Sequence, residues 1–121
     1  MKYLLLVYHN EAEWSKVSEA KQGKALDESV RLCHEIDANG QYLSAAPLRP
    51  TSEATSVRVR DGRRFVTDGP FAETHEQLAG YFLVEAGSRE DATDIAGRIP
   101  GARWGTVEVR PVKEVAGLPG E

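Results

Sequence analysis

Four side chains capable of acid–base chemistry lie within nine residues of the sequence, namely Asp68, Glu73, His75 and Glu76. A histidine titrates near neutral pH and can exchange protons with neighbouring groups. This pattern predicts a catalytic role for Asp68, Glu73 and His75. The structural alternative is that Asp68 binds backbone N–H groups of the turn Asp68–Phe71 and that the glutamates are solvated.

Three further residues have the chemistry of ligand-binding side chains. His9 directly follows an apolar segment, and by analogy with open α/β sheets the carboxyl ends of strands often border ligands. Arg49 and Trp104, together with Arg103, carry the charge and the ring that suit an acidic or aromatic small molecule. We therefore predict ligand binding at His9, Arg49 and Trp104. The alternatives are that His9 belongs to an exposed loop and that Trp104 is buried.

No metal or other cofactor is predicted. Cys33, His34 and Glu35 are consecutive in a predicted helix, so their side chains point in different directions and do not converge on one ion. Neither a glycine-rich phosphate-binding loop nor a nucleophile elbow occurs in the sequence.

The bulk properties of the chain exclude several classes of protein. Its length of 121 residues fits one domain, and its net charge of -4 lacks the clustered basic excess of nucleic-acid binders. The single cysteine gives no sign of an oxidising compartment. The apolar run from Tyr3 to Tyr8 is too short to span a membrane. We expect a cytoplasmic protein with neither nucleic acid nor membrane as a partner.

The pattern of apolar residues predicts an α+β fold of the ferredoxin-like type. Two β-α-β units flank a hairpin, giving an antiparallel sheet with two helices on one face. The predicted elements are strands at 3–8, 41–46, 79–86 and 106–110, a hairpin at 55–67 turning at Asp61-Gly62, and helices capped by Ser18 and Ser88. The two most apolar strands, Tyr3–Tyr8 and Ala79–Ala86, are expected in the centre.

Both central strands are apolar on both faces, although the two helices can cover only one. A second copy of the same sheet is the simplest cover for the other face. We therefore predict a homodimer in which two sheets pack face to face as a dimeric α/β barrel.

The chain resembles the DGPF branch of the YCII-related family. The resemblance is carried by Asp68-Gly69-Pro70-Phe71-Ala72-Glu73-Thr74, followed by Glu76-Gln77-Leu78-Ala79-Gly80-Tyr81, and by similar segments at 1–8, 57–62, 98–100 and 107–112. It predicts one domain over residues 1–115, with a flexible C-terminal tail at 116–121, and it implies a dimeric α/β barrel.

The resemblance implies less about activity. The His–Asp pair suggested for the wider family is not carried over, because no histidine lies near Ala20–Asp27 and Ile99 occupies the aspartate position. His75 stands where the DGPF pattern usually has lysine. We predict a small-molecule ligand or an uncharacterised enzyme activity in a pocket between sheet and helices.

The alternative function is protein interaction. DGPF proteins are associated with alternative sigma factors in their genes, which implies a possible sigma-factor partner. The arginine-rich hairpin, with Arg58, Arg60, Arg63 and Arg64, is the predicted contact surface. The structural alternative is that these charges protect an exposed strand edge from aggregation.

Overall fold

Six strands and four helices occur in the computed structural model, which describes residues 1–120. In chain order they are β1 (Lys2–His9), α1 (Glu11–Trp14), α2 (Glu19–Ala38), β2 (Tyr42–Pro47), β3 (Thr55–Arg60), β4 (Arg63–Asp68), β5 (Gln77–Glu85), α3 (Arg89–Arg98), α4 (Gly101–Trp104) and β6 (Thr106–Pro111). A 3-10 turn at Thr51–Glu53 precedes the hairpin.

The main sheet has four antiparallel strands in the order β2-β5-β1-β6. Leu5 of β1 lies opposite Phe82 of β5 on one side and Val109 of β6 on the other. The two most apolar strands are therefore central, and the predicted α+β, ferredoxin-like arrangement of two β-α-β units is confirmed.

The predicted hairpin forms, but β3 and β4 make a separate two-stranded sheet. Asp61 and Gly62 have φ angles of 52° and 74°, which a two-residue turn with the twist of a hairpin requires. Every residue of β4 is exposed, as are most of those of β3.

Serine side chains begin both long helices, as predicted. The Ser18 hydroxyl accepts from the Lys21 N–H and the Ser88 hydroxyl accepts from the Asp91 N–H. Each bond satisfies an amide that has no partner within its own helix. Helix α2 ends before Gly40, whose φ of 73° suits glycine.

The core lies between the sheet and helices α2 and α3. Buried side chains from the sheet pack against buried side chains from the helices, and the cluster contains Tyr3, Leu5, Val7, Phe82, Val84, Leu32, Ile36, Ala92, Ile95, Ala96 and Ile99. Helical spacing in the sequence predicts an apolar stripe of Ala92, Ile95, Ala96 and Ile99 along α3, and all four are buried. The same spacing predicts a stripe of Leu26, Val30, Cys33 and Ile36 in α2. This prediction is partly wrong, because Leu26 and Val30 are 53% and 48% exposed and border cavities instead of filling the core.

The polar composition of residues 9–16 predicts a loop, and the connection after β1 differs from that prediction. It contains helix α1, because the Asn10 side chain accepts from the Glu13 N–H and so caps this single turn.

The chain after Pro111 has no strand or helix up to residue 120, and residue 121 of the predicted tail lies outside the described residues. None of the helices among residues 1–120 combines the length and hydropathy needed to cross a membrane.

Candidate functional site: a groove at the end of strand β1

Hydrogen bonds from helix α1 join three separate parts of the chain at the end of β1. The Asn10 side-chain amide donates to the His75 carbonyl at 2.8 Å, and the Glu11 N–H donates to the Gln77 side-chain oxygen at 2.9 Å. The Glu11 carboxylate accepts from the N–H and the hydroxyl of Thr51 at 2.9 and 2.8 Å. Helix α1 is thereby tied to β5, to the loop before β5 and to the 3-10 turn.

Three aromatic rings meet beside this network. The imidazole of His9 stacks on Trp14 with ring centroids 5.3 Å apart and an interplanar angle of 23°. Trp14 contacts Trp104 edge-on, with centroids 5.2 Å apart. Trp14 is therefore the centre of an aromatic cluster that joins the ends of β1, α1 and α4.

The aromatic cluster borders a cavity of about 740 Å³, which we call the His9 groove. Its lining includes His9, Trp14, Arg49, Gln22 and Leu48. Its size is within the range of about 300–1,000 Å³ that is typical of small-molecule pockets.

The three predicted ligand-binding residues line two cavities that have His9 and Trp14 in common. His9 and Arg49 line the His9 groove itself, and Trp104 lines an adjoining cavity of about 180 Å³ that His9 and Trp14 also border. Trp104 is 42% exposed in the single chain, so it is not part of the core between sheet and helices, and its burial at the end of a dimeric barrel stays a prediction. The Arg103 guanidinium lies over the Trp104 ring and binds both carboxylate oxygens of Glu28, which ties α4 to α2.

His9 is held towards its neutral form. Burial lowers the pKa of its imidazole below the ordinary value of 6.5, and the carboxylates of Glu11 and Glu76 oppose that shift. Near neutral pH the ring therefore offers one hydrogen-bond donor and one acceptor.

Arg49 supplies a positive charge to the groove. Its Nε donates to the Glu53 carboxylate at 2.8 Å, and this contact raises the pKa of Arg49 and lowers the pKa of Glu53. Within residues 1–120 the two terminal nitrogens of the guanidinium make no hydrogen bond, so they can bind an anion.

The predicted catalytic residues are not joined by any contact. Asp68 lies at the end of β4, Glu73 and His75 lie in the loop before β5, and all three are exposed. Over the described part of the chain their side chains make no hydrogen bond or ion pair, and Glu73 lines a cavity beside Asn10 and Glu11. Their acid–base role, like the turn-binding role of Asp68, stays a prediction without a supporting contact. No group of histidine, cysteine or acidic side chains among these residues has an arrangement that could hold a metal ion.

Sequence reasoning missed several residues that build the groove. In the sequence, Trp14 is only a large apolar residue in a polar connection. Glu11, Thr51 and Gln77 have no distinctive sequence signal, because their bonds connect residues 40 and 66 positions apart. Asn10 is a signal that the sequence does contain, since asparagine directly before an acidic first turn, here Glu11 and Glu13, is a common helix cap.

Comparison with known proteins places the chain in a family. The model of the YCII-related domain matches residues 1–116. An uncharacterized protein of Rhizobium meliloti (strain 1021) is 33% identical over 114 residues, which cover 93% of this chain and 92% of that protein. The chain therefore belongs to the YCII-related family, and its assignment to the DGPF branch stays a prediction.

Proposed function

We propose that the protein binds a small planar aromatic carboxylate in the His9 groove. The observation that carries this proposal is the stack of His9 on Trp14 beside a cavity that Arg49 also lines. A flat ring can extend this stack, because offset aromatic pairs are favourable. A carboxylate on that ring can accept hydrogen bonds from the free nitrogens of Arg49.

Two carboxylates and one guanidinium are found in the lining of the groove, those of Glu11, Glu19 and Arg49. Both carboxylate oxygens of Glu11 already accept hydrogen bonds from Thr51, and Glu19 is exposed at the start of α2. The neutral imidazole of His9 adds a donor without adding charge. Arg49 is the guanidinium in the groove lining, and its terminal nitrogens are free to donate to a ligand.

Isothermal titration calorimetry with 1-naphthoate tests this proposal. We expect saturable binding to the native protein and about tenfold weaker binding to Arg49→Gln, because a charge-assisted hydrogen bond contributes about 1.5 kcal/mol or more. Arg89→Gln is the matched control, since Arg89 is exposed at the start of α3 and does not line the groove.

Two results would count against binding of an aromatic carboxylate in the His9 groove. Equal affinities of Arg49→Gln and Arg89→Gln would remove Arg49 from the site. Absence of heat with 1-naphthoate and with its smaller analogue benzoate, in a folded native protein, would reject planar carboxylates as the ligand class.

We also infer that the binding form is a homodimer. The helices pack on the face of the sheet that contains Leu5 and Val84, which are fully buried. On the opposite face Leu4, Leu6 and Leu83 are only half-buried. A continuous apolar sheet face of this kind supports pairing with a second copy.

A further inference from the structure

A second cavity lies between helix α2 and strands β2 and β5, and we call it the helix–strand cavity. Its volume is about 410 Å³. Val30 and Cys33 line it from the helix, and Ala45, Gly80 and Phe82 line it from the sheet. None of the rings of the aromatic cluster borders it, so it is a different site from the His9 groove.

The space exists because the strands carry small residues beneath this part of α2. Ala45, Ala79 and Gly80 provide no bulky side chain there. Gly80 cannot be enlarged, since a Cβ atom at this position would lie 2.8 Å from the Ala46 carbonyl oxygen of the neighbouring strand. The close approach of β2 to β5 thus requires a residue without a side chain at this wall of the cavity. On the opposite wall Val30 is about half exposed.

The lining has an apolar interior and a polar rim. Burial raises the pKa of the Cys33 thiol, so this side chain is a neutral and largely apolar wall. His34 and Asp37 also line the cavity but are exposed, and they lie three residues apart on the same side of α2. The Asp37 carboxylate offers hydrogen-bond acceptors at the rim.

We infer that the helix–strand cavity binds a small aromatic amine or alcohol. The apolar ring lies against Val30 and Phe82, where it removes apolar surface from water. The N–H or O–H group of the ligand donates to the Asp37 carboxylate. Ala79 borders both cavities, but this site is distinct from the His9 groove because the side chains that would bind a ligand differ: Arg49 and the aromatic cluster line one, Val30, Phe82 and Asp37 the other.

Cys33 is the only cysteine of the chain and lines the cavity. The rate at which its thiol is alkylated therefore measures whether a ligand occupies the helix–strand cavity. The test uses N-phenyl-1-naphthylamine, an aromatic amine whose fluorescence rises in apolar surroundings. We expect saturable fluorescence enhancement, with the rate of Cys33 alkylation by N-ethylmaleimide falling in proportion to the fraction of protein that has bound the dye.

Variants of α2 separate this site from other apolar surfaces. Val30→Trp blocks the cavity and should abolish both effects, whereas Arg31→Trp, at an exposed position outside the lining, should change neither. Asp37→Asn, an exposed change that spares the fold, should weaken dye binding severalfold.

Three outcomes would overturn the inference. These are no dye binding, dye binding that leaves the alkylation rate of Cys33 unchanged, and loss of dye binding in His9→Ala to the same extent as in Val30→Trp. In the last two cases the dye binds elsewhere.

Discussion

At the scale of residues, the stacking of His9 on Trp14 and the lowered pKa of its imidazole both result from its surroundings in the fold. Its position after an apolar strand could be predicted from the sequence, as could the chemistry of Arg49 and Trp104. Their convergence on Trp14 could not, because the rings belong to segments 5 and 90 residues apart that only the tertiary fold brings together. Asp68 and His75 show the opposite case. They are close in the sequence, but both side chains are exposed and no hydrogen bond or ion pair joins them.

The burial of His9 has a consequence for stability. Its pKa in the folded protein is lowered, so protonation favours the unfolded state, and stability is lost as the pH falls below the unfolded value of about 6.5. The native protein should therefore lose more free energy of unfolding than His9→Asn between about pH 7.5 and pH 5.5. Urea denaturation at the two pH values measures this difference. Identical losses in the two proteins would show that burial does not hold His9 neutral.

At the scale of elements, the sequence predicts the helices and strands that neighbouring residues determine. It does not predict those that depend on contacts between distant segments. The serine caps of α2 and α3 and the apolar strands β1 and β5 could be predicted because each is determined by neighbouring residues. Helix α1 has only four residues and no apolar periodicity, and its bonds to His75, Gln77 and Thr51 come from distant segments. Apolar spacing in α2 likewise predicts a buried Val30, which is instead 48% exposed beside a cavity that local spacing does not reveal.

Gly105 allows the segment between α4 and β6 to approach the end of β1. A Cβ atom here would overlap the Tyr8 carbonyl oxygen and lie 3.0 Å from the His9 Cα atom. Gly105→Ala should lower the free energy of unfolding by about 1–3 kcal/mol, as overpacking does. Thermal and urea denaturation of the purified variant measure the change.

Gly97 provides the matched control for Gly105. It lies within α3, and a Cβ atom there would meet nothing within 4 Å. Gly97→Ala should stabilise the protein by about 0.5–1 kcal/mol, because alanine favours a helix more than glycine does. Equal stabilities of the two variants would contradict the close approach at Gly105.

At the scale of the whole molecule, the sheet explains both the fold and the expected assembly. Apolar residues on both sides of β1 and β5 predicted their central positions, and the structure confirms this. The hairpin was predicted as an element, but its separation from the main sheet depends on strand pairing that local patterns do not specify. Interaction of its arginines with a sigma factor stays a prediction.

The proposed dimer can be disrupted at the open face of the sheet. Leu6→Glu introduces a charge among half-buried apolar side chains and should convert a dimer into a monomer, since an unpaired charge is costly to bury. Sedimentation velocity at micromolar concentration measures the change, and circular dichroism verifies folding. Leu118→Glu, at a 56% exposed position near the C-terminus, should stay dimeric. A monomeric native protein would contradict the proposed pairing.

The most direct test of the His9 groove uses the indole signals of the two tryptophans. Trp14 and Trp104 are the only tryptophans and both belong to the aromatic cluster, so two-dimensional ¹H–¹⁵N NMR yields one side-chain N–H signal for each. During titration with 1-naphthoate we predict a saturable shift of both signals, larger for Trp14, that weakens in Arg49→Gln. Indole signals that stay unchanged while 1-naphthoate saturates the protein would contradict binding in the His9 groove.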